Sequence, residues 1–238
     1  MEQKFFGEVS FDSSRAVYSQ VETTLDRGAP LLTLPPLFSS TLCSNPQWIG
    51  FSLARHKFVG KMFEGMNRIL EVGCWEGMGS LVVSQYVKQV VSIDFYEPFI
   101  LAAQQYVAPF ADKVKFLGCD ILDGAPELGA FDGAFSLDLL EHIDKEQEDL
   151  FVRNIASSLS TFGVLILGCP GLEAQVYAGE GSRRTHINCK TAVQLHVLCK
   201  RYFNNVFMFG MNDEVLHTGF GPLRHYNLAV CTAKYGAL

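Results

Sequence analysis

The sequence predicts an α/β protein built on a single doubly wound, mostly parallel seven-stranded sheet, with helices on both faces and an antiparallel last strand. Three observations carry this. Short apolar runs alternate with helix-length segments from Arg68 to Tyr202, the first apolar run ends in a glycine-containing turn, and the last two apolar runs have no helix between them. Strand and helix in alternation mean parallel strands covered on both faces. Two strands without an intervening helix put one of them antiparallel at an edge.

The elements follow in order. Residues 1–45 are mixed, with one possible helix near Ser14–Leu25 and then a Pro-rich stretch, GAPLLTLPPLF, that reads as extended or turning. PQWIGFSLARHKFVGKMFEGM reads as a helix, because Pro46 suits a first turn and apolar residues recur at spacings of three and four. Strands are then expected at Arg68–Gly73, Gln89–Asp94, Val114–Cys119, Phe131–Leu137 and Gly163–Gly168. Helices are expected at Gly79–Val87, Pro98–Ala108, Lys145–Leu159 and Thr191–Tyr202, and final strands at Val206–Gly210 and Tyr226–Thr232. The polar, glycine-containing stretch Gly171–Thr185 reads as a long loop, and loops of that length are often lids.

Bulk properties narrow the function. The 238 residues favour one large domain, which needs no disulfide or metal to hold it. Seven scattered cysteines without a Cys-x-x-Cys pair argue against a zinc cluster and a disulfide framework, and point to a reducing cytoplasm. The net charge of −6 and the lack of a Lys/Arg stripe disfavour a nucleic-acid partner, whose affinity comes mostly from phosphate neutralisation. No apolar run reaches the roughly 18 to 20 residues of a membrane span, and MEQKFFGEVSFDSS has no secretory pattern.

The chemistry gathers where parallel strands end, since ligands of open α/β sheets sit outside the carboxyl ends near the reversal of strand order. The first strand runs into ILEVGCWEGMGS, where Gly73 and Gly77 permit a tight turn and the next helix points its amides into the crevice. The second strand ends in Asp94, about twenty residues on, where an acid accepts ribose hydroxyls. The third leads to Asp120 and Ile121, and the fourth to FDGAFSLDLLEHI. A dinucleotide loop needs Gly-x-Gly-x-x-Gly, and neither register from Gly73 nor from Gly77 supplies it.

The segment Glu71–Gly79 resembles motif I of class I S-adenosylmethionine (SAM)-dependent methyltransferases, with Trp75 at the position of the second family glycine. The fourth-strand segment is similar to the Leu-Glu-His-Ile/Val stretch of such enzymes, including those of the ubiquinone pathway. A weaker similarity, carried by Arg55–Lys57 and by Asp213, Glu214, His217 and His225, is to glycan-associated methyltransferases. The resemblance implies SAM as cofactor, bound by Glu71, Gly73, Trp75, Gly77, Asp94, Phe95, Asp120, Ile121 and Leu137. It implies Glu71 orienting the loop, Asp94 on the ribose, Phe95 or Tyr96 against the adenine, and Asp120 on the adenine amino group. Residues 46–238 would be the methyltransferase domain and residues 1–45 an N-terminal extension or helical cap.

His142 and His186 are the candidate general bases, since imidazole titrates near neutrality. Asp138, Glu141 and His142, three and four apart, stay open between a divalent-cation site, a base and a structural turn; no metal ligand is assigned. Asn188 is the expected cap of the following helix, and Arg183 and Arg184 either grip an anionic substrate or are solvated. His196, within that helix, reads as structural. The expected activity is methyl transfer from SAM to an O or N atom of a small-molecule acceptor. The alternatives are an NAD(P)-dependent oxidoreductase and a SAM-binding protein without catalysis.

Overall fold

The computed structural model describes residues 33–236. The helix expected near Ser14–Leu25 lies outside the described residues. The first helices among the described residues are α1 (Pro36–Ser44) and α2 (Pro46–Met62). The Pro-rich stretch expected to be extended or turning therefore becomes helical at Pro36, because proline at a first helical position gives up no needed hydrogen bond.

The strands β1 (Arg68–Val72), β2 (Gln89–Asp94), β3 (Val114–Gly118), β4 (Phe131–Leu137) and β5 (Leu159–Pro170) are parallel. Between them lie α3 (Met78–Ser84), α4 (Glu97–Ala102, continued by a π turn to Val107) and α5 (Glu148–Ser157). After β5 come α6 (Glu180–Thr185) and α7 (Ala192–Lys200), then β6 (Phe203–Asn212), β7 (Val215–His217) and β8 (Tyr226–Lys234). The sheet order is β3-β2-β1-β4-β5-β8-β6-β7. β8 is antiparallel to both β5 and β6, and strand order reverses between β1 and β4, which opens the ligand crevice there.

The side-chain period of two builds both cores. Leu70 and Val72 face a core with Phe151, Val152 and Ile155 of α5 and with Leu195 and Leu198 of α7. Ile69 faces the other core, with Val59 and Phe63 from the end of α2, Val83 of α3 and Ile100 of α4. Glu71 shares its alternation with Ile69, which turns its carboxylate toward α2 and α3.

Four expectations need correction. The sheet has eight strands rather than seven, because Asp213 and Glu214 make a two-residue hairpin that adds β7 at the edge. Asp213 takes φ 53°, a conformation its short side chain tolerates. β5 begins at Leu159 rather than Gly163, with an irregularity opposite β4 that lets the extra residues join the ladder. The stretch Gly171–Thr185 is not a bare loop but folds into a 3-10 turn, Glu173–Tyr177, and α6. Thr191, not Asn188, caps α7: it forms a capping box with Gln194, the Thr-x-x-Gln spacing that serves two terminal amides at once.

Candidate active site

The turn after β1 is built from left-handed backbone. Gly73 and Gly77 have φ of 84° and 82°. A Cβ at Gly73 would lie 2.7 Å from Leu139, and one at Gly77 would lie 2.7 Å from Phe116. Trp75 also lies at φ 49°. Its indole turns to the N-terminal helices, edge-on to Trp48 at 5.8 Å and against Phe38 at 6.2 Å. Next to it, Glu76 accepts the backbone N–H groups of Leu37 and Phe38, at 3.1 and 2.7 Å. Trp75 and Glu76 thus tie the motif to α1, and Trp75 does not line the cavity described below.

Glu71 is buried and anchors the turn from beneath. Ser80 Oγ donates to its Oε2, and Ser92 Oγ donates to the same oxygen at 2.6 Å. His56 of α2 brings its Nε2 to 3.7 Å from Oε1 while its Nδ1 meets the Ser52 carbonyl. Burial pushes the Glu71 carboxyl up from its ordinary 4.5 to about 7, against the two serine hydrogen bonds. Burial also lowers the His56 imidazole from its ordinary value. Between pH 4.5 and about 7 the folded chain holds a proton the unfolded chain has released. That contribution is present in full below pH 4.5 and lost as pH rises through about 7. Its size is on the order of 3 kcal/mol. Glu71→Gln, which cannot ionise, is expected to remove this slope; urea unfolding of both proteins from pH 4.5 to 8 checks it, and parallel curves would contradict it.

A cavity of about 300 Å³ opens at the carboxyl ends of β1, β2 and β3. Gly73, Asp94, Phe95, Asp120, Ile121 and His142 all line it. Asp94 accepts the N–H of Trp75 at 3.1 Å and of Tyr96 at 3.0 Å, and burial pushes its carboxyl up. Asp120 accepts the Leu122 N–H at 2.9 Å. The exposed ring of Phe95 flanks the opening, while Tyr96 packs on Phe99 at 4.8 Å. Three carboxylates, of Asp94, Asp120 and Asp144, line the cavity, and its described lining holds no Lys or Arg. Of the other sequence-predicted residues, Leu137 is buried in the core and neither it nor Gly77 reaches this lining.

Past β4 the chain turns at Asp138, whose φ is 55°. The expectation that Asp138 meets Glu141 and His142 on one helical face is corrected. Its carboxylate pairs with Arg55 at 2.8 Å, and its N–H donates to Tyr226 Oη at 3.0 Å. Arg55 in turn stacks on the Tyr226 ring at 3.8 Å. Sequence reasoning missed this triad, because Arg55 and Tyr226 lie 83 and 88 residues from Asp138.

His186 takes the place expected for Asp138. The His142 and His186 rings meet edge to face at 5.1 Å, and Glu141, His142 and His186 bring ligand-type atoms within 4.8 Å of one another. His142 Nδ1 lies 3.0 Å from the Thr185 carbonyl, and His186 Nδ1 lies 3.3 Å from Gln175 Oε1. The Glu141 carbonyl accepts the N–H groups of Ile187 and Asn188, which fastens the segment after α6 to the turn after β4. Glu141 is buried, its Oε2 has no hydrogen-bond partner among the described residues, and burial beside Asp138 pushes its carboxyl well up. Burial next to His142 lowers His186.

A family model described as a methyltransferase domain matches residues 69–163. No curated protein matches the sequence. Among solved structures, the N-methyltransferase NodS from Bradyrhizobium japonicum WM9 is similar at 18% identity and TM-score 0.58, over 80% of this chain and 98% of that one. The same protein with S-adenosyl-L-homocysteine (SAH) bound aligns at 16% identity and TM-score 0.56, over 92% and 98%. A TehB-like SAM-dependent methyltransferase from Corynebacterium glutamicum aligns at 15% identity and TM-score 0.58, over 94% and 100%. The small RNA methyltransferase HEN1 aligns at 16% identity and TM-score 0.64, over 79% of this chain and 26% of that one. Residues 69–163 thus carry a methyltransferase domain, and the chain shares the fold of these solved methyltransferases.

Proposed function

We propose that the chain transfers the methyl group of SAM to an O or N atom of a small-molecule acceptor, at the His142–His186 pair, in a reducing cytoplasm. The carrying observation is the charge of the cavity beneath Gly73: three carboxylates and no basic side chain. A pyrophosphate there would meet only repulsion, whereas a sulfonium with an ammonium, a ribose diol and an adenine amino group meets acceptors. Asp94 and Asp120 stand where the diol and the amino group would be held, Ile121 offers an apolar face to the base, and Phe95 flanks it. SAM supplies an electrophilic methyl carbon on sulfonium. His142 borders this cavity and its ring meets that of His186, and in this reading the pair takes the acceptor's proton. Water exclusion and alignment contribute the rest. The net charge of −6 favours a small acceptor over a nucleic acid, and the seven free thiols, five of them buried, suit a reducing compartment. Among the described residues no helix is long and apolar enough to cross a membrane.

The test is SAH formation from SAM with a panel of hydroxyl and amine acceptors. Turnover that requires His142 supports the reading; SAM binding with no turnover on any acceptor would return it to a binding protein without catalysis.

A second reading is favoured by the orphaned Glu141 oxygen: with His142 and His186 it would hold a divalent cation that lowers an acceptor hydroxyl's pKa. Added chelator is then expected to abolish turnover while leaving SAH affinity unchanged, with Mg²⁺, Mn²⁺ or Zn²⁺ restoring it. Turnover indifferent to chelator leaves the histidines as bases alone.

A further inference from the structure

A second cavity, of about 320 Å³, adjoins the histidine pair. His186 lines it, just as His142 lines the first cavity, and the two rings touch. Its lining carries Lys145, Arg183 and Lys190 together with the amides of Gln175, Asn188 and Gln194, and no carboxylate. In a chain of net charge −6 this concentration of cations is a local inversion. Lys190 is buried and paired with Glu148, so its charge is spoken for. Lys145 and Arg183 are exposed and make no ion pair among the described residues, unlike Arg184, which reaches Glu180.

We propose that the second cavity is the acceptor subsite and that it recognises an acid group, carboxylate or phosphate, on a small acceptor. This rests on the reading of the first cavity as the SAM site. The two cavities are complementary in sign: acidic where a sulfonium would lie, basic where the nucleophile enters. Arg183 presents a planar fork suited to two acid oxygens, and Lys145 a point charge beside it. The amide side chains supply neutral donors. With its acid group held there, the acceptor presents its hydroxyl or amine at His186 and His142, toward the first cavity. Two unpaired cations suit one acid group and fall well short of the roughly six to ten phosphate contacts of a nucleic-acid track. The segment that builds this wall, from Gln175 through α6 to Asn188, overlaps the stretch Gly171–Thr185 that the sequence marks as a long loop of lid length.

The experiment titrates inorganic phosphate, salicylate and its neutral isostere salicylamide into the full chain by calorimetry, with and without saturating SAH. At least one of the two anions is expected to bind and, where salicylate binds, salicylamide is expected to bind at least about tenfold more weakly. Lys145→Gln with Arg183→Gln is expected to weaken the bound anion by about tenfold, and Arg184→Gln to change nothing. Both sites of substitution are exposed, so folding is retained, and circular dichroism verifies it. Phosphate alone binding assigns a phosphorylated acceptor; salicylate binding assigns a carboxylate. Absence of binding by both anions, equal binding of the amide, or an unaffected double variant would overturn the proposal. Loss of SAH binding in the unmodified chain would instead strike the reading of the first cavity, and the anion titrations without SAH still decide this one.

Discussion

Asp94→Ala is expected to weaken SAM binding by about tenfold or more, read by calorimetric titration. A carboxylate that accepts a ribose hydroxyl contributes a charge-assisted hydrogen bond, of about 1.5–3 kcal/mol. Asp94 also holds the Trp75 and Tyr96 amides, so its loss loosens both the turn after β1 and the chain leaving β2. Those orphaned amides cost stability as well, about 1–3 kcal/mol if they stay buried. The titration therefore belongs well below the unfolding temperature of the variant. Asp94→Asn keeps one amide acceptor and loses the charge, so an intermediate affinity is expected. Unchanged SAM affinity in Asp94→Ala would remove the ribose assignment.

His142→Ala is expected to lower kcat by a factor on the order of 10² to 10⁴, with SAM affinity retained within about threefold. His186→Ala is expected to do the same if the two rings act as one unit, because effects of residues that act together are not additive. The double variant would then lose little more than either single one. Glu141→Gln separates the two readings of the cluster. As a carboxamide it keeps its volume and a carbonyl but loses the charge a cation needs. A base-only site retains most of its turnover, and a metal-holding site loses it together with its chelator sensitivity. If His142→Ala and His186→Ala both keep full turnover, the base lies elsewhere.

Much of the sheet was legible because a parallel strand buried on both faces is apolar at most of its positions, as at Ile69, Leu70 and Val72 of RILEV and Val90, Val91 and Ile93 of QVVSID. The edge was not: β7 is three residues, Val215–His217, and no hydrophobic pattern identifies a strand that short. The site divides in the same way. Asp94 and Asp120 stood out because the fold dictates what a strand end faces, and both line the cavity at the carboxyl ends of the strands. His142 and His186 each stood out as a residue, but their contact depends on the Glu141 carbonyl catching the Ile187 and Asn188 amides, which no local pattern encodes. Asp138 misled for a related reason. Its spacing to Glu141 and His142 suits a helical face, yet at φ 55° it turns away to Arg55. Trp75 was legible as a departure from the glycine pattern. Its reason lies in Phe38 and Trp48, which only the fold brings to it.

The most direct measurement is a crystal structure of the chain grown with SAH. Density for the nucleoside should fill the space between Gly73 and Ile121, its diol on the carboxylate that ends β2 and its sulfur directed toward the imidazole pair. A nucleoside found elsewhere on the molecule, or turned so that its sugar faces away from that carboxylate, would contradict the account.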